Sequence, residues 1–150
     1  MRHTVLAAVF AISASAVLSF GCGSGAPPAA DSFTKVYPEV IAKTCSSDYC
    51  HNISVNTPLD MSSKVRAYWS LVDQPCSGSN CYGQGTRVIP GQPENSIMYQ
   101  KLSATTVQCG LQMPLDTDMF LKGTLQFSAA LPQPQQDLIR NWIQDGAQNN

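Results

Sequence analysis

The chain is 150 residues long with a formal net charge of -1. That balance excludes an electrostatic footprint for nucleic acid and a polybasic patch for an anionic membrane surface. Six cysteines stand out in the composition, so function has to be sought in local chemistry rather than in net charge.

Arg2 and His3 form a short basic start, and Val5 to Leu18 is an apolar run of export-signal length, too short for a transmembrane span. The run leads into "SFGCGSG", in which small Gly21 precedes Cys22. This resembles the lipobox of bacterial lipoproteins, although Ser19 stands where that family prefers leucine, with Leu18 one place further off. The resemblance implies a signal peptide over residues 1–21, a lipid on Cys22 and attachment to the cell envelope by that lipid alone. Gly23 in place of aspartate points to the outer membrane, facing the periplasm or the cell surface. Cleavage by the ordinary signal peptidase is the alternative, with Cys22 removed or left as a thiol. Residues 22–31 read as a flexible tether, small and Pro-rich. Residues 32–150 remain, about 120, enough for one domain that buries roughly two-thirds of its unfolded surface.

Asp31 and Ser32 are suitable N-caps for "FTKVYPEVIAKT", where Phe33, Val36, Val40 and Ile41 recur at helical spacing. Pro38 inside the run predicts a kinked helix or, as the better fit, a turn followed by a helix that begins at Pro38. Either version runs into Cys45. "NISVNTPLDM" is turn chemistry, and "SSKVRAYWSLVD" predicts a helix with Val65, Tyr68, Trp69 and Val72 on one face. The stretch "QPCSGSNCYGQGTRVIPGQPENS" is too rich in Gly, Pro and Asn to be regular. Ser96 to Leu102 reads as a short helix burying Ile97, Met98 and Leu102, and "CGLQMPLDTD" as another loop, with Asp116 and Asp118 as its polar residues. The last element is the best defined. In "PQPQQDLIRNWIQDGAQ", Leu138, Ile139, Trp142 and Ile143 form an apolar stripe, Pro134 suits the first turn and Gly146 the stop. No segment alternates, so the expected fold is mainly α with long loops and no sheet.

The stretch "CSSDYCH", Cys45 to His51, carries the candidate chemistry. Covalent haem attachment uses C-x-x-C-H, in which two thiols add to the porphyrin vinyls and the next residue turns its imidazole to the iron. Here four residues separate the cysteines, and Ser46, Ser47 and Asp48 are polar enough to bulge into solvent. His51 is the only histidine left once the signal is removed. Met113 lies in the separate loop "CGLQMP" ahead of Pro114, which restrains the backbone before it. A thioether opposite an imidazole is the Met/His ligation that raises the potential of a haem iron. Met61, Met98 and Met119 are weaker candidates.

The ordered set "FTKVYPEVIAKTCSSDYCH", "YWSLV", "RVIPGQPENSIMYQKL", "CGLQMP" and "LIRNWIQDGA" resembles the planctomycete-type cytochrome c domain found in bacterial secreted proteins and lipoproteins. It spans about Phe33 to Ala147. The resemblance implies a small cytochrome c-like helical domain carrying haem c and its iron, with Cys45 and Cys50 as thioether attachments and His51 and Met113 as axial ligands. It also places the "RVIPG" turn near the haem edge, where a backbone carbonyl would orient the ligand ring. Arg87 is a candidate for a haem propionate, or else a solvated surface arginine. The function implied is transfer of single electrons between redox partner proteins of the envelope.

The long spacer leaves a second reading open, a haemless module for protein binding or envelope structure in which Cys45 and Cys50 pair with each other. A disulfide from Cys109 to Cys81, or alternatively to Cys76, would tie the Met113 loop to the segment before "RVIPG" under either reading. Zinc would want four Cys or His ligands, and hydrolysis lacks a G-x-S-x-G or paired carboxylates beside His51. The expectation is therefore not an enzyme.

Overall fold

The computed structural model describes residues 31–53, 59–103 and 106–150. The signal segment, Cys22 and most of the tether lie outside these residues. Helix α1, Phe33–Val36, does not stop at the proline. It continues without a break as a π-helical stretch, Tyr37–Cys45. The expected turn with a fresh start at Pro38 is therefore replaced by one helix of changing pitch. Pro38 has no N–H for the carbonyl of Thr34 and its ring crowds that carbonyl. Widening the coil relieves the crowding, and the wider pitch persists to the end, where the Ser46 N–H donates to the Ile41 carbonyl at 3.1 Å.

The cap of α1 also differs from expectation. Ser32 occupies the N-cap position, but its side chain makes no capping bond. Asn150 takes that role from the far end of the chain: its Oδ1 accepts from the Phe33 N–H at 3.0 Å and its main-chain oxygen from the Thr34 N–H at 2.8 Å. Asn150 reaches α1 because α5, Gln133–Gln144, ends in a tight reversal. There the Gly146 N–H donates to the Ile143 carbonyl and the Ala147 N–H to the Trp142 carbonyl. That pairing needs a left-handed residue after the cap, and Gly146 supplies it at φ 94°.

The core is where α1, its π-helical continuation and α5 meet. Phe33, Val36, Val40, Ile41, Leu138, Ile139, Trp142 and Ile143 are all buried there. Phe33 is the hub, with ring centroids 4.9 Å from Trp142 and 5.4 Å from Tyr68. Helix α2, Lys64–Leu71, closes this core with Ala67 and Leu71. The face expected from its large apolar residues is rotated: Tyr68 and Val72 are half-buried, whereas Val65 and Trp69 are 60% and 65% exposed.

A 3₁₀ turn, Pro93–Asn95, feeds α3, Ile97–Leu102, which buries Ile97, Met98 and Leu102 as expected. The loop after Met113 contains one more short helix, α4, Thr117–Leu121, where only loop was expected. Asp116 starts it by accepting the Met119 N–H at 2.9 Å. Among the described residues strand pairing is limited to isolated bridges, Val72 with Val88, Pro75 with Thr86 and Leu115 with Phe127. The fold is thus mainly helical with long loops, one of which a disulfide secures.

Candidate functional site

The end of the π-helical stretch delivers Cys45 with its side chain buried in the core. The chain then makes a closed loop. The Cys50 N–H donates to the Ser47 carbonyl and the His51 N–H returns to the Cys45 carbonyl, both at 3.0 Å. Asn52 braces the loop from outside, its Nδ2 donating to the Ser46 carbonyl and to Asp48 Oδ1, each at 3.2 Å. Ser47, Asp48 and Tyr49 are exposed while Cys50 and His51 are half-buried. The long spacer therefore does bulge into solvent, and the main chain of His51 stays bonded to that of Cys45.

Cys45 and Cys50 are both free thiols. Burial pushes Cys45 up to about 12, with the nearby Cys50 as the second cause. The imidazole of His51 is pushed the other way, below its ordinary value, by burial first and then by the cations of Arg87 and Lys101. It is the neutral form that a metal ligand must have. Its Nδ1 is buried and has no hydrogen-bond partner. No carbonyl of the "RVIPG" turn accepts from this nitrogen.

The turn is nevertheless firmly built. Ser96 is fully buried, accepts the Ile89 N–H at 2.8 Å and donates to the Gln92 carbonyl at 2.8 Å. Gly91 sits at φ 77° and donates its N–H to the Ile143 carbonyl at 2.7 Å, which joins the turn to α5. Arg87 at its head is not a solvated arginine. Its guanidinium is half-buried and donates to the Ser70 carbonyl and, at 2.7 Å, to Ser77 Oγ.

Met113 is half-buried and packs against the same core that holds Cys45, Met61 and Leu102. Its loop is held at three points by one residue. Lys101 accepts the Met113 N–H on its carbonyl at 2.9 Å, and its Nζ donates to the carbonyls of Cys109 at 3.0 Å and Leu111 at 2.6 Å. The Cys81–Cys109 disulfide, Cα atoms 5.1 Å apart, fixes the start of the same loop. Of the two partners open to Cys109, the structure selects Cys81 and leaves Cys76 a buried free thiol. Lys101 thus both anchors the Met113 backbone and contributes to the field on His51. Its position in the last turn of α3, where a lysine can reach free carbonyls, was the available signal for it.

Met61 is tied more directly to His51 than its place among the weaker candidates implies. It is buried, and its N–H donates to the His51 carbonyl at 2.8 Å. Met98 is buried in the core beneath α3, and Met119 lies on α4. Among the described residues no three His, Cys, Asp or Glu side chains converge as a metal-binding group. What the site does offer fits haem c by its donor chemistry: two unpaired thiols, a neutral imidazole with an unpartnered buried nitrogen, and a thioether in an anchored loop. Comparison of the chain with protein-family models, with curated proteins and with solved structures finds no match.

Proposed function

We propose that the chain is an exported, lipid-anchored electron-transfer protein of c-type cytochrome character, working between redox partner proteins at the cell envelope. The observation that carries this reading is the state of the Cys45–His51 loop. Two free thiols and a neutral, half-buried imidazole are presented by a loop whose ends are bonded to each other. Haem c held there supplies a reversible one-electron couple. Cys45 and Cys50 would hold it by thioethers, and His51 and Met113 would bind its iron.

The chain's own contributions follow from what surrounds these groups. Burial and the Arg87 and Lys101 cations keep His51 deprotonated and able to bind. Lys101 and the Cys81–Cys109 disulfide hold the Met113 loop against thermal loss of a weak sulfur ligand. Arg87 already satisfies Ser70 and Ser77, so a propionate would share its guanidinium rather than capture it whole.

The test is expression of the full chain with a haem-attachment system, followed by a visible spectrum and haem staining on a denaturing gel. A Soret band and a stained polypeptide are expected. Absence of both would replace this reading with a haemless module whose exposed Val65 and Trp69, one turn apart on α2, offer a face to a protein partner.

A further inference from the structure

The molecule holds a second sulfur cluster, whose free thiol the electron-transfer reading does not use. Cys76, Cys81 and Cys109 form, with Ile97, a buried cluster separate from the main core. Two of the three sulfurs are bonded to each other and the third is a free thiol. We propose that this cluster is an internal thiol–disulfide exchange site, in which Cys76 displaces Cys81 from Cys109.

Three observations place the parts. Cys76 and Cys81 flank one short loop, "CSGSNC", and both are buried in one cluster with Cys109. That loop is held by the Cys76 N–H on the Gly85 carbonyl at 2.9 Å and the Cys81 N–H on the Gly78 carbonyl at 2.8 Å. The leaving sulfur has a cation beside it. A methyl group on Gly110 would lie 2.9 Å from Lys101 Nζ and 3.0 Å from Cys81 Sγ. Glycine at that position therefore lets the ammonium and the sulfur share one face. A cation there lowers the proton affinity of the departing thiolate, which speeds its release. The attacking sulfur is near the other cation as well: Arg87 is bonded to Ser77, the residue after Cys76. Burial raises the Cys76 thiol, while Arg87 and Lys101 act to lower it. The resting protein therefore keeps Cys76 protonated and the exchange slow.

The step is balanced without an oxidant. Cys76 Sγ, as thiolate, bonds to Cys109 Sγ, the Cys81–Cys109 bond breaks, and the proton given up by Cys76 ends on Cys81. One disulfide and one thiol are present before and after. The result moves the anchor of the Met113 loop from one end of "CSGSNC" to the other. It does so whether or not haem is bound.

Peptide mapping tests this directly. The full chain, purified without reductant and incubated at mildly alkaline pH, is quenched in acid, unfolded and labelled with N-ethylmaleimide under mildly acidic conditions. Trypsin cleaves after Arg66, Arg87, Lys101 and Lys122, so residues 67–87 remain joined by a disulfide to residues 102–122. The two isomers have the same mass, and fragment ions show whether Cys76 or Cys81 carries the label. Exchange predicts both, with Cys109 always in the disulfide, and predicts that Cys81→Ser, given oxidised glutathione as the disulfide oxidant, forms a Cys76–Cys109 disulfide with release of reduced glutathione. Label on Cys76 alone after prolonged incubation would overturn the proposal. So would a folded Cys81→Ser protein in which Cys76 and Cys109 both remain labelled thiols after incubation with oxidised glutathione.

Discussion

At the scale of single residues, His51 shows how position settles the chemistry of one imidazole. A histidine on an exposed turn would titrate near neutrality, but here burial and two cations favour the neutral ring. The loaded protein should show a sulfur-to-iron charge-transfer band in the far red. Met113→Ala is expected to abolish it while leaving the Soret band in place. A band that survives would transfer the ligand role to another methionine, with buried Met61, bonded to His51, first in line. Asp60 makes a separate prediction in acid. Hydrogen bonds from the Ser62 side chain and main chain, and then Arg66, hold its carboxyl below its ordinary value of 3.8. A carboxylate lowered on folding adds stability above its unfolded value and loses it as pH falls through the folded one. Asp60→Asn should therefore be less stable than the parent at neutral pH, with the gap closing in strong acid, as followed by thermal unfolding at both pH values.

At the scale of elements, the buried face of α5 was legible and that of α2 was not, for one physical reason. The stripe of Leu138, Ile139, Trp142 and Ile143 is both the largest apolar set on α5 and its buried face. On α2 the buried face is Ala67 and Leu71, and an alanine adds little to a hydrophobic pattern. Val65 and Trp69 dominated that pattern from a face that ends up in solvent. The cap of α1 was illegible for a different reason, since Asn150 lies 117 residues from Phe33 and no local rule connects them. Asn150→Ala should cost about 1 kcal/mol, in the range of a lost N-cap. Ser96→Ala should cost more, roughly 1–3 kcal/mol, because it removes a fully buried hydroxyl that serves both the part-buried Ile89 N–H and the Gln92 carbonyl. Chemical denaturation of the two variants checks both magnitudes, and Ser96→Ala proving milder than Asn150→Ala would refute the ranking.

At the scale of the molecule, one core built by α1, its π-helical continuation and α5 supports a ring of loops that carry the candidate site. The sequence order of helix, "CSSDYCH", turn, short helix and "QMP" loop was enough to expect mainly helical architecture and a disulfide at Cys109. It put Cys81 ahead of Cys76 as the partner, as the structure has it, but left Cys76 open, because both sit on one short loop and only the path of the backbone separates them. Closing the 28-residue separation between Cys81 and Cys109 stabilises the fold by roughly 3 to 4 kcal/mol on the chain-entropy account. Reduction of that bond should lower the denaturant midpoint accordingly.

The chemical state of the Cys45–His51 loop is decided by one mass. Trypsin releases this loop on the peptide spanning residues 44–64. After expression with a haem-attachment system, this peptide is expected to carry one covalently bound haem. The same peptide found two hydrogens lighter than its dithiol form, as a Cys45–Cys50 disulfide without haem, would contradict it.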